Sequence, residues 1–128
     1  METINGCTVI PSSASPEPAA FGPAEMDGAY RVLVVTVPAG QPAPPFHMHP
    51  NTDEAFYVAE GQAGFLLGDR EVQVTGGGFV FVPRGMPHTA WNAADAPLRG
   101  LILISPGDAE HVVSPSARGR SAGTPARP

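Results

Sequence analysis

Short apolar-rich stretches split by turn residues run along this chain, and none repeats at a helical period over ten or more residues. Residues 30–37 (Tyr-Arg-Val-Leu-Val-Val-Thr-Val) are β-branched and predict a strand. Residues 38–45 predict a loop. His47 to His49 are expected on a strand, residues 50–53 in a turn, and residues 54–59 on the next strand, ended by Glu60-Gly61. Residues 62–67 and 70–75 predict a hairpin around Gly68-Asp69. Beyond Gly76, Gly77 and Gly78, residues 79–82 predict a buried strand that stops at Pro83. Residues 87–92 and 98–105 complete the set. Upstream, residues 7–10 fit a short first strand, and residues 11–29, rich in Pro, Ala and Ser, predict an irregular surface arm.

Eight or nine short strands with regular turn signals predict an all-β antiparallel sandwich or barrel. Inward and outward residues alternate along each strand of such a barrel. If Glu54 points inward, Phe56 and Val58 do so too. If His88 points inward, Ala90 and Asn92 follow, while Thr89 and Trp91 face the other way. Along 30–37 and 98–104 the phase stays open, because both faces carry apolar residues. Strands apolar on both faces suggest that the barrel packs against something.

At 128 residues, 42% of them hydrophobic, the chain has room for one core and enough apolar material to fill a barrel. The segments divide as 1–29 (strand and arm), 30–105 (barrel) and 106–128 (a small, polar tail expected to be flexible). The net charge of −5 argues against a nucleic-acid or anionic-membrane partner. All seven basic residues are Arg, which with abundant Ala, Gly and Pro looks like a GC-rich coding bias. It is a faint pointer to a bacterium rich in secondary metabolism. Cys7 is the only cysteine, so no internal disulfide forms. The first residues lack the basic region and apolar run of a signal peptide, and no apolar stretch is long enough to cross a bilayer, so the cytoplasm is the expected location.

Chemistry concentrates at His47, His49, Glu54 and His88. Two histidines at i and i+2 of a strand share a face about 6–7 Å apart, within reach of one ion. Glu54 can add an oxygen and His88 a third nitrogen from another strand. Three imidazoles and a carboxylate leave coordination positions open, as a catalytic metal requires. Glu54 has a second possible role, as a general base. Gly40, Gly61, Gly77 and Gly85 are turn glycines, and Pro83 and Asn92 turn and strand-end residues. Among the apolar pocket candidates (Phe46, Met48, Phe56, Val58, Phe65, Phe79, Phe81 and Met86), Phe56 and Val58 share a face with Glu54 and come first. His111 reads as a surface residue, or a fifth ligand if the tail folds over the barrel mouth. Arg31 and Arg99 are outward charges, or one enters the pocket and binds an anion.

The spacing adds more. Gly40, six residues, His47-x-His49, four residues, Glu54, six residues, Gly61 forms one block; Gly77, five residues, Pro83-x-Gly85, two residues, His88, three residues, Asn92 forms another. Together they resemble the two signature motifs of the cupin superfamily, the first with one extra residue before His47. The resemblance implies a jelly-roll barrel, or double-stranded β-helix, and a homodimer. It implies one divalent metal per chain: Fe(II) first, with Mn, Ni, Cu or Zn as alternatives. Small cupins with this donor set are similar to quercetinase-like dioxygenases, which implies O2 and a small enolic or aromatic substrate. A zinc-dependent polyketide cyclase or isomerase with Glu54 as base is the second reading, and a binding module without turnover the third.

Overall fold

The structure, a computed structural model, describes residues 1–15 and 19–109. Runs of Val, Ile, Leu and Phe between Gly and Pro become ten strands among those residues: β1 (Glu2–Ile4), β2 (Cys7–Val9), β3 (Ala20–Phe21), β4 (Arg31–Val37), β5 (Asp53–Glu60), β6 (Gln62–Leu67), β7 (Arg70–Thr75), β8 (Phe79–Val82), β9 (His88–Asn92) and β10 (Leu98–Ser105). The one α-helix among them, α1 (Pro23–Met26), is a single turn, and no helix is long and apolar enough to cross a membrane. His111 and residues 110–128 lie outside the described residues, as do 16–18.

Two antiparallel sheets form the jelly roll. One has the order β3-β4-β10-β5-β8 and the other β7-β6-β9. β1 and β2 make a separate hairpin. The predicted turn at Gly68-Asp69 joins β6 to β7 in register, Leu67 opposite Arg70. Between the sheets lies the core of Val58, Ala63, Phe65, Val80, Val82 and Leu98. Full burial of a side chain such as Phe65, 2% exposed, contributes about 1.5–3 kcal/mol.

Four expectations change. The arm at 11–29 is not wholly irregular, since Ala20 and Phe21 pair with Leu33 and Val32 of β4. Residues 7–10 are not the first strand, because Cys7–Val9 pair with an earlier one, Glu2–Ile4. His47 to His49 make no regular strand; only an isolated bridge between His47 and His88 forms there. β8 is buried on one face only, with Val80 and Val82 inside and Phe79 and Phe81 exposed, so the last two leave the pocket set.

Gly64 of β6 stands opposite Trp91 of β9. A Cβ on Gly64 would come within 2.4 Å of the Trp91 indole. A Gly64→Ala protein is therefore expected to unfold about 1–3 kcal/mol more easily, as overpacked sites do. Chemical denaturation followed by the emission of Trp91, the chain's single tryptophan, measures it.

Candidate metal centre

Backbone pairing brings two of the histidines together. The amide of His47 donates to the carbonyl of His88 at 3.0 Å, and His88 returns the bond at 2.8 Å. Their rings then lie 4.5 Å apart between centroids. His49 follows two residues on and its ring lies 5.0 Å from that of His47. The Gly85 amide donates to the His49 carbonyl at 2.8 Å, and Gly85 holds a positive φ of 83°. A side chain would strain that turn, which accounts for glycine in the second motif. Arg84 fixes the same turn from outside. Its main-chain and Nε hydrogens reach Asp53 Oδ1 at 2.9 and 3.1 Å, and its Nη2 reaches Oδ2 at 3.1 Å. The Arg84 guanidinium holds the exposed Asp53 carboxyl below its ordinary value. Nothing in the sequence singled out this pair, although Asp53 adjoins Glu54 and Arg84 sits inside the second motif.

Ligand atoms of His47, His49, Glu54 and His88 all lie within 4.8 Å of one another, a spread that one ion can bridge with small side-chain rotations. His49, Glu54 and His88 are buried and His47 partly so. Three features test whether this cluster suits a metal. First, the ring orientations are fixed from behind. A carbonyl can only accept, so His47 Nδ1–H donates to Pro45 at 2.7 Å and His88 Nδ1–H donates to Met86 at 2.8 Å. Each ring thereby presents Nε2 to the cluster, the tautomer that metal-binding histidines adopt. Second, His88 Nε2 and Glu54 Oε1 are 2.8 Å apart. Two lone pairs at that distance need a cation between them. A proton meets the need, and so does an ion bound by both, since adjacent ligands at about 2.1 Å lie roughly 3 Å from each other. Third, both ring nitrogens of His49 are buried and neither has a hydrogen-bond partner, although Nε2 is 3.3 Å from the same Glu54 oxygen. An unsatisfied buried polar atom costs about 1–3 kcal/mol. Coordination would remove that cost. Burial, against the opposing hydrogen bond to Pro45, holds the His47 imidazole below its ordinary value, with His88 and His49 pushing the same way. Neutral imidazole is the ligand form. The donor set therefore fits a divalent transition metal.

The cluster opens into a cavity of about 400 Å³. Phe56 and Val58 line it in the phase of Glu54, and Ala90 lines it in the phase of His88, as alternation predicts. Phe65 joins them, its ring 5.3 Å from that of Phe56. The open phases now resolve: Leu33, Val35 and Val37 of β4 and Leu98, Ile102 and Ile104 of β10 border the cavity. Asn92 does not border it; its Nδ2 donates to the carbonyls of Val37 and Ala96 at 2.9 and 2.8 Å. Thr89 faces away as expected, its hydroxyl donating to the Pro44 carbonyl at 2.7 Å. Trp91, also expected to face away, lies over Gly64 yet borders the cavity as well. Gln41, Pro42 and Pro44 of the 38–45 loop, unmarked in the sequence reading, form a further wall. No arginine borders the cavity among the described residues. Arg31 donates to the Gly107 carbonyl at 2.8 Å, and Arg99 is half exposed with its Nε 3.8 Å from Glu60, so neither is the anion-binding group considered above.

The model of the cupin domain matches residues 33–104. No curated protein matches the chain. Among solved structures, an uncharacterized protein with a double-stranded β-helix domain from Klebsiella pneumoniae is similar, with a TM-score of 0.64, 22% identity and coverage of 82% of this chain and 88% of that one. An oxalate decarboxylase of Bacillus subtilis, a protein with Mn(II) centres, matches with a TM-score of 0.62 and 25% identity over 75% of this chain and 27% of its own. A DMSP lyase of Ruegeria pomeroyi matches with a TM-score of 0.59 and 31% identity over 72% of this chain and 46% of its own. This chain thus spans about a quarter of the decarboxylase and under half of the lyase.

Proposed function

The chain belongs to the cupin domain family, and from that premise we propose that it is a mononuclear metal-dependent enzyme, a dioxygenase of a small enolic or aromatic molecule. One observation carries the reading: a cluster of three imidazoles and a carboxylate faces a cavity whose other walls are almost entirely apolar. Its volume of about 400 Å³ suits a small organic ligand.

His47, His49 and His88 would hold the ion, the rings of His47 and His88 steadied from behind where the carbonyls of Pro45 and Met86 accept. A redox-active ion there would supply O2 and electron-transfer chemistry, whereas zinc would supply Lewis acidity. Glu54 completes the donor set and stands where it can take the proton of a substrate hydroxyl. The side chains of Phe56, Val58 and Phe65 exclude water and hold an apolar ring. With no arginine in the cavity, a second anionic group far from the ion would go unpaired. A ligand with one chelating end and an apolar body fits.

Elemental analysis of untagged protein, purified without oxygen or chelators, tests the reading first. About one Fe, Mn, Ni or Cu per chain is expected, followed by O2 uptake when enolic or aromatic compounds are added. Zinc with no O2 uptake would favour the cyclase or isomerase, because Glu54 borders the apolar cavity and can abstract a carbon-bound proton. No metal after reconstitution would rule out both enzymes and leave a binding module.

A further inference from the structure

Building on the metal reading above, we infer that Thr89 is a positioning residue for that centre: through Pro44 and Pro45 it fixes the ring of His47. Thr89 follows His88 on β9 and stands opposite Leu66 of β6. Both are 1% exposed. A hydroxyl in so dry a place has to find a partner, and Thr89 Oγ1 donates to the Pro44 carbonyl at 2.7 Å. The next carbonyl along the chain, that of Pro45, accepts from His47 Nδ1–H, also at 2.7 Å. Thr89 does not border the cavity, so it touches no guest and acts through His47.

The two carbonyls are joined almost rigidly. Between them stand a planar peptide bond, the φ angle of Pro45, which its ring locks, and one free torsion, the ψ angle of Pro45. Once Thr89 has fixed the Pro44 carbonyl, only that ψ is left to aim the Pro45 carbonyl, and the bond to His47 takes it up. No strand ladder does this work, because residues 41–46 belong to no strand or helix. The backbone of His47 is held separately, by its two bonds to His88. A ring whose backbone and Nδ1 are both fixed presents Nε2 in one direction, which is how an orienting partner raises the affinity of a metal site. β9 thus serves two of the three imidazoles: it carries His88 and, one residue later, anchors the loop that orients His47. The carbonyl that orients His88 belongs to Met86, on a different segment, so the link from Thr89 runs to His47.

The full chain, stripped of metal and titrated with Co(II), tests the proposal, since the visible absorption of that ion reports its coordination. Thr89→Val keeps the β-branched shape and loses the hydroxyl, whereas Thr89→Ser keeps the hydroxyl and loses the methyl. Thr89→Val is expected to bind Co(II) about ten- to a hundredfold more weakly than wild type, with an altered spectrum at saturation. Thr89→Ser is expected to restore both affinity and spectrum. A packing role predicts the opposite order, because serine leaves a void at this buried site and valine does not. Pro45→Ala, at an exposed position, reaches the same link without touching the core, and freeing its φ is expected to weaken binding about two- to fivefold. Wild-type affinity in Thr89→Val or in Pro45→Ala overturns the proposal and leaves the metal centre standing. So does a Thr89→Ser protein that binds as weakly as Thr89→Val. A wild-type chain that takes up no Co(II) overturns the metal reading itself, and the role of Thr89 with it.

Discussion

A His49→Ala protein is expected to bind its metal at least about a hundredfold more weakly than wild type and to lose turnover. Loss of a group that only orients a ligand already costs ten- to a hundredfold in affinity, and loss of the ligand itself costs more. The stability readout separates a ligand from an ordinary buried histidine. In the metal-free protein His49 contributes two buried nitrogens with no hydrogen-bond partner. Removing the ring relieves that cost and opens a small void, and the two terms oppose each other, leaving a change below about 2 kcal/mol. The metal-bound comparison moves much further. An ion at a hundred times its Kd stabilises wild type by about 2.7 kcal/mol, whereas a hundredfold weaker site gains only about 0.4 at the same concentration. Thermal unfolding with and without added metal, for both proteins, gives all four numbers. A full metal load in the variant would mean that the donor set is not the one assigned to it.

Glu54→Gln is expected to lower metal affinity about tenfold or more and to slow turnover at saturating metal by at least about a hundredfold. The change keeps the shape, and a carboxamide can still donate to His88 Nε2, so the fold survives it. It removes the charge that offsets the ion and the basicity that accepts a proton. Metal titration and turnover read the two roles separately. Metal binding unchanged with turnover lost would make Glu54 a base alone. Turnover retained at saturating metal would deny it the base role and leave only coordination.

The clustering of His47, His49, Glu54 and His88 was legible because their offsets resemble two motifs that place them on neighbouring strands, whereas local chain geometry relates only His47 to His49. The cavity walls on β5 and β9 followed from Glu54 and His88 by alternation alone. β4 and β10 did not yield their phase. Their outward residues, Val32, Val34, Leu101 and Leu103, are as apolar as their inward ones, and hydrophobicity cannot choose between two faces that both avoid water. For the same reason Phe79 and Phe81 were read as buried. The pairing of Ala20–Phe21 with β4 and the Asp53–Arg84 grip are long-range, the latter partners standing 31 positions apart. No local propensity announces them. His47 to His49 looked like a strand because alternation in three residues is indistinguishable from a single bridge.

The 38–45 loop carries a further consequence. Pro38, Pro42, Pro44 and Pro45 lock half of its φ angles, and its ends are tethered where Thr89 grips Pro44 and Asn92 grips Val37. A cavity wall built this way has little conformational freedom left to surrender when a guest arrives. It is preorganised, so guests are sorted by the outline already present: a molecule that matches this wall binds without waiting for the loop to reorganise.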